Sequence, residues 1–274
     1  MKRIYLIGLI TMALALATGP SVWAQDNTDK PITVSFSDPS KPGTLKVHLM
    51  QGAITVKAYN GKEVIIQSRG RTSTNKGRRS PEEIQGLHRL DVSVGGLTVE
   101  EANNVMEISA GIMNSVDLEI QLPTKTNLNL STLNGGGIVV EGVDGDIDVN
   151  NNNGKVTLND VSGTVLAHSL NGDVRASLKR VTADKPMSFT SLNGDVDVTL
   201  PADLKANVKL RTDNGDVYTD FDVKIQPRSA PVVERSNGHY RVQTDRNILG
   251  TINGGGPDFV LQTSNGKVFI RKGK

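Results

Sequence analysis

The sequence predicts an all-β fold, a β-solenoid resembling a single-stranded β-helix, made of short two-strand coils and carrying one small helical insertion. Three observations lead there. First, five glycines stand nine residues apart within residues 134–174, at Gly136, Gly145, Gly154, Gly163 and Gly172. Second, the residues behind each glycine alternate with a period of two. This puts Ile138, Val140, Ile147, Val149, Val156, Leu158, Val165, Ala167, Val174 and Ala176 on one face, with Asp148, Thr157 and Arg175 on the other. Third, Asn-Gly pairs at Asn134, Asn153, Asn171, Asn193 and Asn214 follow one another after 19, 18, 22 and 21 residues, close to two nine-residue units each.

Asn-Gly between alternating strands is also a hairpin signal, which would give an antiparallel meander or sandwich. A unit of fixed length repeated in tandem favours the solenoid instead. The two differ in ladder direction across residues 134–216. In the solenoid reading, glycine and the asparagine before it supply the positive φ of tight turns. The run Asn150-Asn151-Asn152-Asn153 reads as such a turn, with an amide ladder between coils as the alternative.

The elements follow in order. Lys2 and Arg3 precede an apolar run over residues 4–17, and Val22-Trp23-Ala24 ends the segment with small residues where a signal peptidase cuts. Residues 1–24 therefore read as a cleaved signal peptide, the apolar run being short for a membrane span. Residues 25–31 form a polar, flexible lead, and residues 32–274 one domain. Alternating strands begin at Ile32-Thr33-Val34-Ser35-Phe36 and continue through residues 45–49, 53–58 and 64–66. Residues 69–90 interrupt them with a basic loop and then Ser80-Pro81-Glu82-Glu83, a helix start with Ser as N-cap and Pro at the first helical position. A short helix is expected over residues 81–90. Strands resume at residues 91–94, 97–99, 105–108 and 116–122. An internal echo follows. Leu122-Pro123 precedes Asn127-Leu128-Asn129-Leu130, and Leu200-Pro201 precedes Asn207-Val208-Lys209-Leu210, so a structural unit looks duplicated. Proline cannot donate to a ladder and marks a corner. Residues 182–186 read as a protruding loop and residues 222–245 as an irregular passage. Arg271, Lys272 and Lys274 follow a final strand whose exposed edge they would protect.

Composition bounds the function. Removing Lys2 and Arg3 from the 31 basic residues leaves 29, against 29 acidic ones, so the mature chain is formally neutral and nothing global points to nucleic acid. Cysteine is absent, which excludes disulfides, thiolate metal sites and a cysteine nucleophile. The only tryptophan, Trp23, lies in the leader, and aromatic platforms for sugar stacking are scarce.

Residues 116–123, the Asn-Gly strands of residues 134–215, Ile252-Asn253-Gly254-Gly255-Gly256 and Asn265-Gly266-Lys267-Val268 together resemble the DUF4097 family of β-strand-repeat proteins, which carries an adhesin label. The resemblance covers nearly all of the mature chain. It implies a β-solenoid-like fold in exported or envelope-facing proteins and transfers no catalytic residues.

Three constellations bear chemistry. Asp173, Asp195 and Asp216 each follow an Asn-Gly and should stack on consecutive coils, where carboxylates repel or attract a cation. Solvated turn aspartates are the plainer reading. A carboxylate pair for glycoside hydrolysis would need a deep groove. His48, His88, His168 and His239 show no metal-ligand spacing. Arg69, Arg71, Lys76, Arg78 and Arg79 form the best candidate contact, toward an anionic envelope polymer or lipid head group. The chain thus reads as an exported, non-enzymatic, adhesin-like module without cofactor or metal, in the periplasm or on the cell surface of a bacterium. Its alternatives are a β-helix polysaccharide enzyme and an envelope-stress accessory with a protein partner.

Overall fold

Alternating β-branched residues bury one face of each short strand, and a strand this short reaches stability only against neighbours on both sides. A computed structural model of the chain describes residues 31–70, 96–111, 115–227, 232–236, 239–243 and 246–273. The leader at 1–24, the strand at 91–94 and the helix expected at 81–90 lie outside these residues.

The strands are β1 (Ile32–Ser35), β2 (Gly43–Gln51), β3 (Ile54–Tyr59), β4 (Glu63–Gly70), β5 (Leu97–Ala102), β6 (Val105–Ala110) and β7 (Val116–Pro123). They continue with β8 (Thr126–Asn134), β9 (Ile138–Glu141), β10 (Asp144–Asn153), β11 (Val156–Asn171), β12 (Val174–Val181), β13 (Met187–Asn193) and β14 (Val196–Leu200). The last are β15 (Ala206–Asn214), β16 (Val217–Thr219), β17 (Val223–Ile225), β18 (Val232–Ser236), β19 (His239–Gln243), β20 (Ile248–Ile252), β21 (Asp258–Asn265) and β22 (Val268–Lys272). Among the described strands, β18 and β19 pair only with each other.

Each rung contributes one strand to a front sheet and one to a back sheet. Ladders between rungs are parallel across residues 134–219, as a solenoid requires and a meander forbids, the one exception being β20, which lies antiparallel on β15 at the end of the stack. The long β11 turns the corner from back to front, irregular at Leu158 to Ser162. Apolar columns run up the interior. In the front sheet Val47, Leu130, Val149, Ala167, Phe189, Leu261 and Leu210 are in register and buried. In the back sheet the column is Ile54, Ile138, Val156, Val174, Val196 and Val268. All ten residues that the alternation places inward in residues 138–176 are buried.

Rung order does not follow chain order at either end. The β2–β3 rung lies between β6–β7 and β8–β9. The β21–β22 rung lies between β13–β14 and β15–β16. The last strand is therefore internal over Val268–Ile270, flanked by β14 and β16, and is not the exposed edge of the sequence expectation; among the described strands Arg271 and Lys272 pair with β14 alone. The echoed Leu-Pro segments acquire a meaning here. After Leu122-Pro123 and again after Leu200-Pro201 the chain must climb two rungs, about 10 Å rather than about 5 Å, to leave room for the intercalated one. Antiparallel strands finish the stack, with β5 on β6 and β1 on β4 at one end, and β20 on β15 and β17 on β20 at the other.

The glycines owe their places chiefly to this stacking. Gly136, Gly154 and Gly172 share one corner, Gly145 and Gly163 the other. A Cβ at Gly154 would come within 2.2 Å of the Gly136 carbonyl oxygen, and one at Gly172 within 2.3 Å of that of Gly154. At the second corner a Cβ at Gly163 would sit 2.1 Å from the Gly145 carbonyl oxygen, and there a φ of 110° adds a backbone demand.

Candidate functional site

Above the core, the Asn-Gly corner is built from side-chain hydrogen bonds that repeat with the rungs. Asn153 Nδ2 donates to Asn134 Oδ1 at 2.8 Å, Asn171 to Asn153 at 2.9 Å, and Asn193 to Asn171 at 2.8 Å. The ladder then passes to Asn265, which donates to Asn193 at 2.8 Å, and ends with Asn214 donating to Asn265 at 2.7 Å. Asn153 thus belongs to an amide ladder, and the simple turn reading of the asparagine run falls. Asn253 stands apart from it, donating to the Leu204 carbonyl at 2.7 Å. Two residues before each ladder asparagine, a polar side chain turns inward and donates to a glycine carbonyl one rung back. Ser169 reaches Gly154, Ser191 reaches Gly172, Thr263 reaches Gly194 and Thr212 reaches Gly266, at 2.8–3.0 Å. These four buried or half-buried hydroxyls are matched in this way.

The acidic column is not as expected. Asp173 and Asp195 lie on adjacent rungs, but Lys267 of the intercalated rung separates Asp195 from Asp216. Each carboxylate has its own partners. Asp173 takes Lys155 Nζ at 3.0 Å, Arg175 Nη2 at 3.4 Å and the Asp195 N–H at 3.2 Å. Burial pushes the Asp173 carboxyl up, but Lys155, that N–H and Arg175 outweigh it and hold it below the usual carboxylate range. Asp195 accepts the Lys267 N–H at 2.8 Å, and Asp216 lies 3.2 Å from the Tyr218 hydroxyl. Among the described residues no group of three or more histidines and carboxylates is placed to hold a metal ion.

Of the basic cluster, Arg69 is described; Arg71, Lys76, Arg78 and Arg79 lie outside the described residues. Arg69 is exposed near the end of β4, its Nη2 3.9 Å from Glu119 Oε2. His48 and His168 project from the front sheet, each with Nδ1 within hydrogen-bond distance of a neighbouring hydroxyl, Ser131 at 2.7 Å and Thr190 at 2.8 Å. A Ser–His contact is the first link of a nucleophilic pair, but no described carboxylate hydrogen-bonds either imidazole to orient it. His88 and the side chain of His239 lie outside the described residues.

One cluster escaped the sequence reading. The outward column of the back sheet runs Glu119, Thr55, Val139, Thr157, Arg175, Asp197, Phe269 and Tyr218. Its last two rings stack, with centroids 5.2 Å apart and planes 13° from parallel. The Arg271 guanidinium lies 4.9 Å from the Phe269 centroid, and Asp197 holds it through two hydrogen bonds of 2.7 and 3.1 Å. The signal was present in Val217-Tyr218-Thr219 and Val268-Phe269-Ile270, where an aromatic fills an outward slot. What concealed the pairing was the rung order, which sets residues 51 apart side by side.

A family model, Toastrack DUF4097, matches residues 33–270, from within β1 to within β22. The chain belongs to the Toastrack DUF4097 family. Two solved structures share a likeness with this Toastrack chain. One is a candidate cell adhesion protein from Clostridium sporogenes ATCC 15579, 14% identical over 89% of this chain and 99% of that one, with a TM-score of 0.44. The other is a candidate adhesin from Bacteroides fragilis NCTC 9343, 12% identical over 89% and 98%, with a TM-score of 0.28. No curated protein matches at a significant level. Among the described residues no helix is long and apolar enough to cross a membrane.

Proposed function

We propose that this Toastrack chain is exported and serves, without catalysis, as an adhesin-like binding or structural module at the cell envelope. The stack carries this reading. Its glycine corners, amide ladder and inward hydroxyls spend their polar groups on holding rung to rung, and it stays rigid without a disulfide. Both outer surfaces remain long, regular and mostly polar, which suits contact with an extended polymer better than enclosure of a small substrate. The leader over residues 1–24 supplies export, and the basic segment beginning at Arg69 supplies a contact for anionic polymer or lipid head groups.

Fractionation of bacteria expressing the full chain tests the first half. Mass spectrometry should find the protein beginning at Gln25 in the exported or envelope fraction. Uncleaved chain in the cytoplasm would defeat it. For the second half, Arg69, Arg71, Lys76, Arg78 and Arg79 are all replaced by Ser, and retention on envelope preparations is followed against salt. Retention should fall and lose its salt dependence; unchanged retention removes the basic segment as the contact.

A further inference from the structure

The paired rings at the far end of the back sheet are arranged unlike anything else on the outer surface. Among the described strands β16 pairs only with β22, so Phe269 covers one face of the Tyr218 ring and no described strand pairs over the other. Tyr218 is 46% exposed. A ring at a sheet edge is ordinarily mobile, but this one is held from two sides. Asp216 meets its hydroxyl at 3.2 Å, while Asp197, Arg271 and Phe269 form a chain of contacts behind it. The end of the core beneath is closed separately by buried Phe221, and Asp220 accepts the Lys272 N–H at 2.7 Å. Tyr218 is therefore not needed as a plug for the core.

The charges around the ring are unequal. Asp197 is committed to Arg271 and Asp216 to the Tyr218 hydroxyl. Lys267, exposed, has its ammonium 6.0 Å from the Tyr218 centroid and makes no ion pair with a described carboxylate. An exposed ring with an ammonium lying over it, 6.0 Å from its centroid and in no ion pair with a described carboxylate, matches one ligand chemistry well. A pyranose offers a C–H face to an aromatic ring and hydroxyls at its edge, and a uronic acid adds a carboxylate for the ammonium.

We propose that Tyr218 and Lys267 form a stacking subsite for a uronic-acid unit of an acidic polysaccharide, the ring binding the sugar face and Lys267 selecting the carboxylate. The proposal rests on the envelope-binding role and names a ligand for it.

Isothermal titration of the purified chain with a galacturonic acid trimer, and with maltotriose as the neutral counterpart, tests it. The acidic trimer should bind and the neutral one bind more weakly. Tyr218→Ala should weaken the acidic trimer about tenfold or more, as removal of a stacking ring does elsewhere. Tyr218→Phe should stay within about twofold, because the ring remains. Lys267→Gln should bring the acidic trimer down to the level of the neutral one. Absence of binding to either trimer by the unaltered chain, or a Tyr218→Ala chain that binds like it, overturns the subsite. If that chain still fractionates with the envelope and is retained there through the basic segment, the subsite alone has fallen. Cytoplasmic localisation would instead defeat the envelope role itself.

Discussion

In the middle of the molecule, from β8 to β14, each rung lies on the one the chain has just completed. At the two ends it lies on rungs made long before or long after. Middle contacts span 18–22 residues along the Asn ladder, as in Asn171 to Asn153 and Asn193 to Asn171. At the ends they span 80 residues for Thr132 to Gly52 and 72 for Asn265 to Asn193. The chemistry of the contacts is the same in both places; only the loop they close differs. A purely sequential solenoid has stability that sums over neighbours, and its terminal rungs fray first. Here an early rung, β2–β3, and the β21–β22 rung are wedged into the interior of the stack. The strands left at its ends, β5 with β1 and β17 with β16, are short or antiparallel and carry little core. The arrangement shields the β2–β3 and β21–β22 rungs from fraying and makes the fold depend on long-range closure.

The largest expected effect tests that dependence. Removing residues 258–274 deletes Phe259, Leu261, Val268 and Ile270, all fully or almost fully buried. At about 1.5–3 kcal/mol each this is about 6–12 kcal/mol, comparable with the whole stability of a domain, about 5–15 kcal/mol. The shortened chain should lose its cooperative thermal transition in circular dichroism. Removing β1, whose residues are exposed or half-buried, should lower the midpoint by only a few degrees. If both deletions shift the midpoint alike, the intercalated rung is no different from a frayed end and the comparison fails.

The same contrast explains what could be read in advance. Periodicity reports which way a side chain points, and the ten apolar residues it placed inward within 138–176 are buried, because alternation needs no knowledge of the neighbouring rung; Val143, Val161, Asn151 and Ser169, buried at the corners where alternation breaks, were not legible. Ladder direction was legible because a unit of fixed length repeated in tandem favours a solenoid over a meander. Rung order was not, since local sequence is indifferent to which rung lies alongside. Asn214 and Asn265 look like successive steps from Asn193, yet Asn265 comes first in space. For that reason the expected Asp173, Asp195 and Asp216 column breaks at Lys267, and the Tyr218–Phe269 stack went unseen. The Leu-Pro echo was the one trace of the crossover, and without the second sheet it read only as duplication.

Glycine substitutions probe the middle of the stack with a smaller effect. A Cβ at Gly172 would meet the backbone oxygen and carbon of Gly154 at 2.3 and 2.5 Å, and backbone cannot yield as a side-chain tip can. Gly70, at the end of β4, has nothing within 4 Å of the same added atom. Gly172→Ala should cost about 3 kcal/mol in urea unfolding, the upper range for overpacking, whereas Gly70→Ala should stay within about 1 kcal/mol of the unaltered chain. Equal urea midpoints for the two variants would show that rungs in the middle can spread to admit a methyl group. Close stacking would then not be what keeps glycine at this corner.

The smallest effect concerns charge across successive rungs. Lys155 and Asp173 are joined over one such step at 3.0 Å, as Arg271 and Asp197 are joined at 2.7 Å across the intercalated one. Because the folded protein holds the Asp173 carboxyl below its ordinary value, about 3.9 when unfolded, the folded state binds that proton less readily than the unfolded state. Its contribution is therefore fully present above about pH 5 and is lost as the pH falls through the lowered folded value. The group is only partly buried and its partners face solvent, so the contribution at neutral pH should be no more than about 1 kcal/mol. Asp173→Asn should be less stable than the unaltered chain by that amount at pH 7, and the gap should close as the pH falls through the lowered value. Urea unfolding of both chains between pH 2 and pH 7 measures it. A gap that stays constant over that range would mean the aspartate acts through its hydrogen-bond geometry, which asparagine fails to reproduce, and not through its charge.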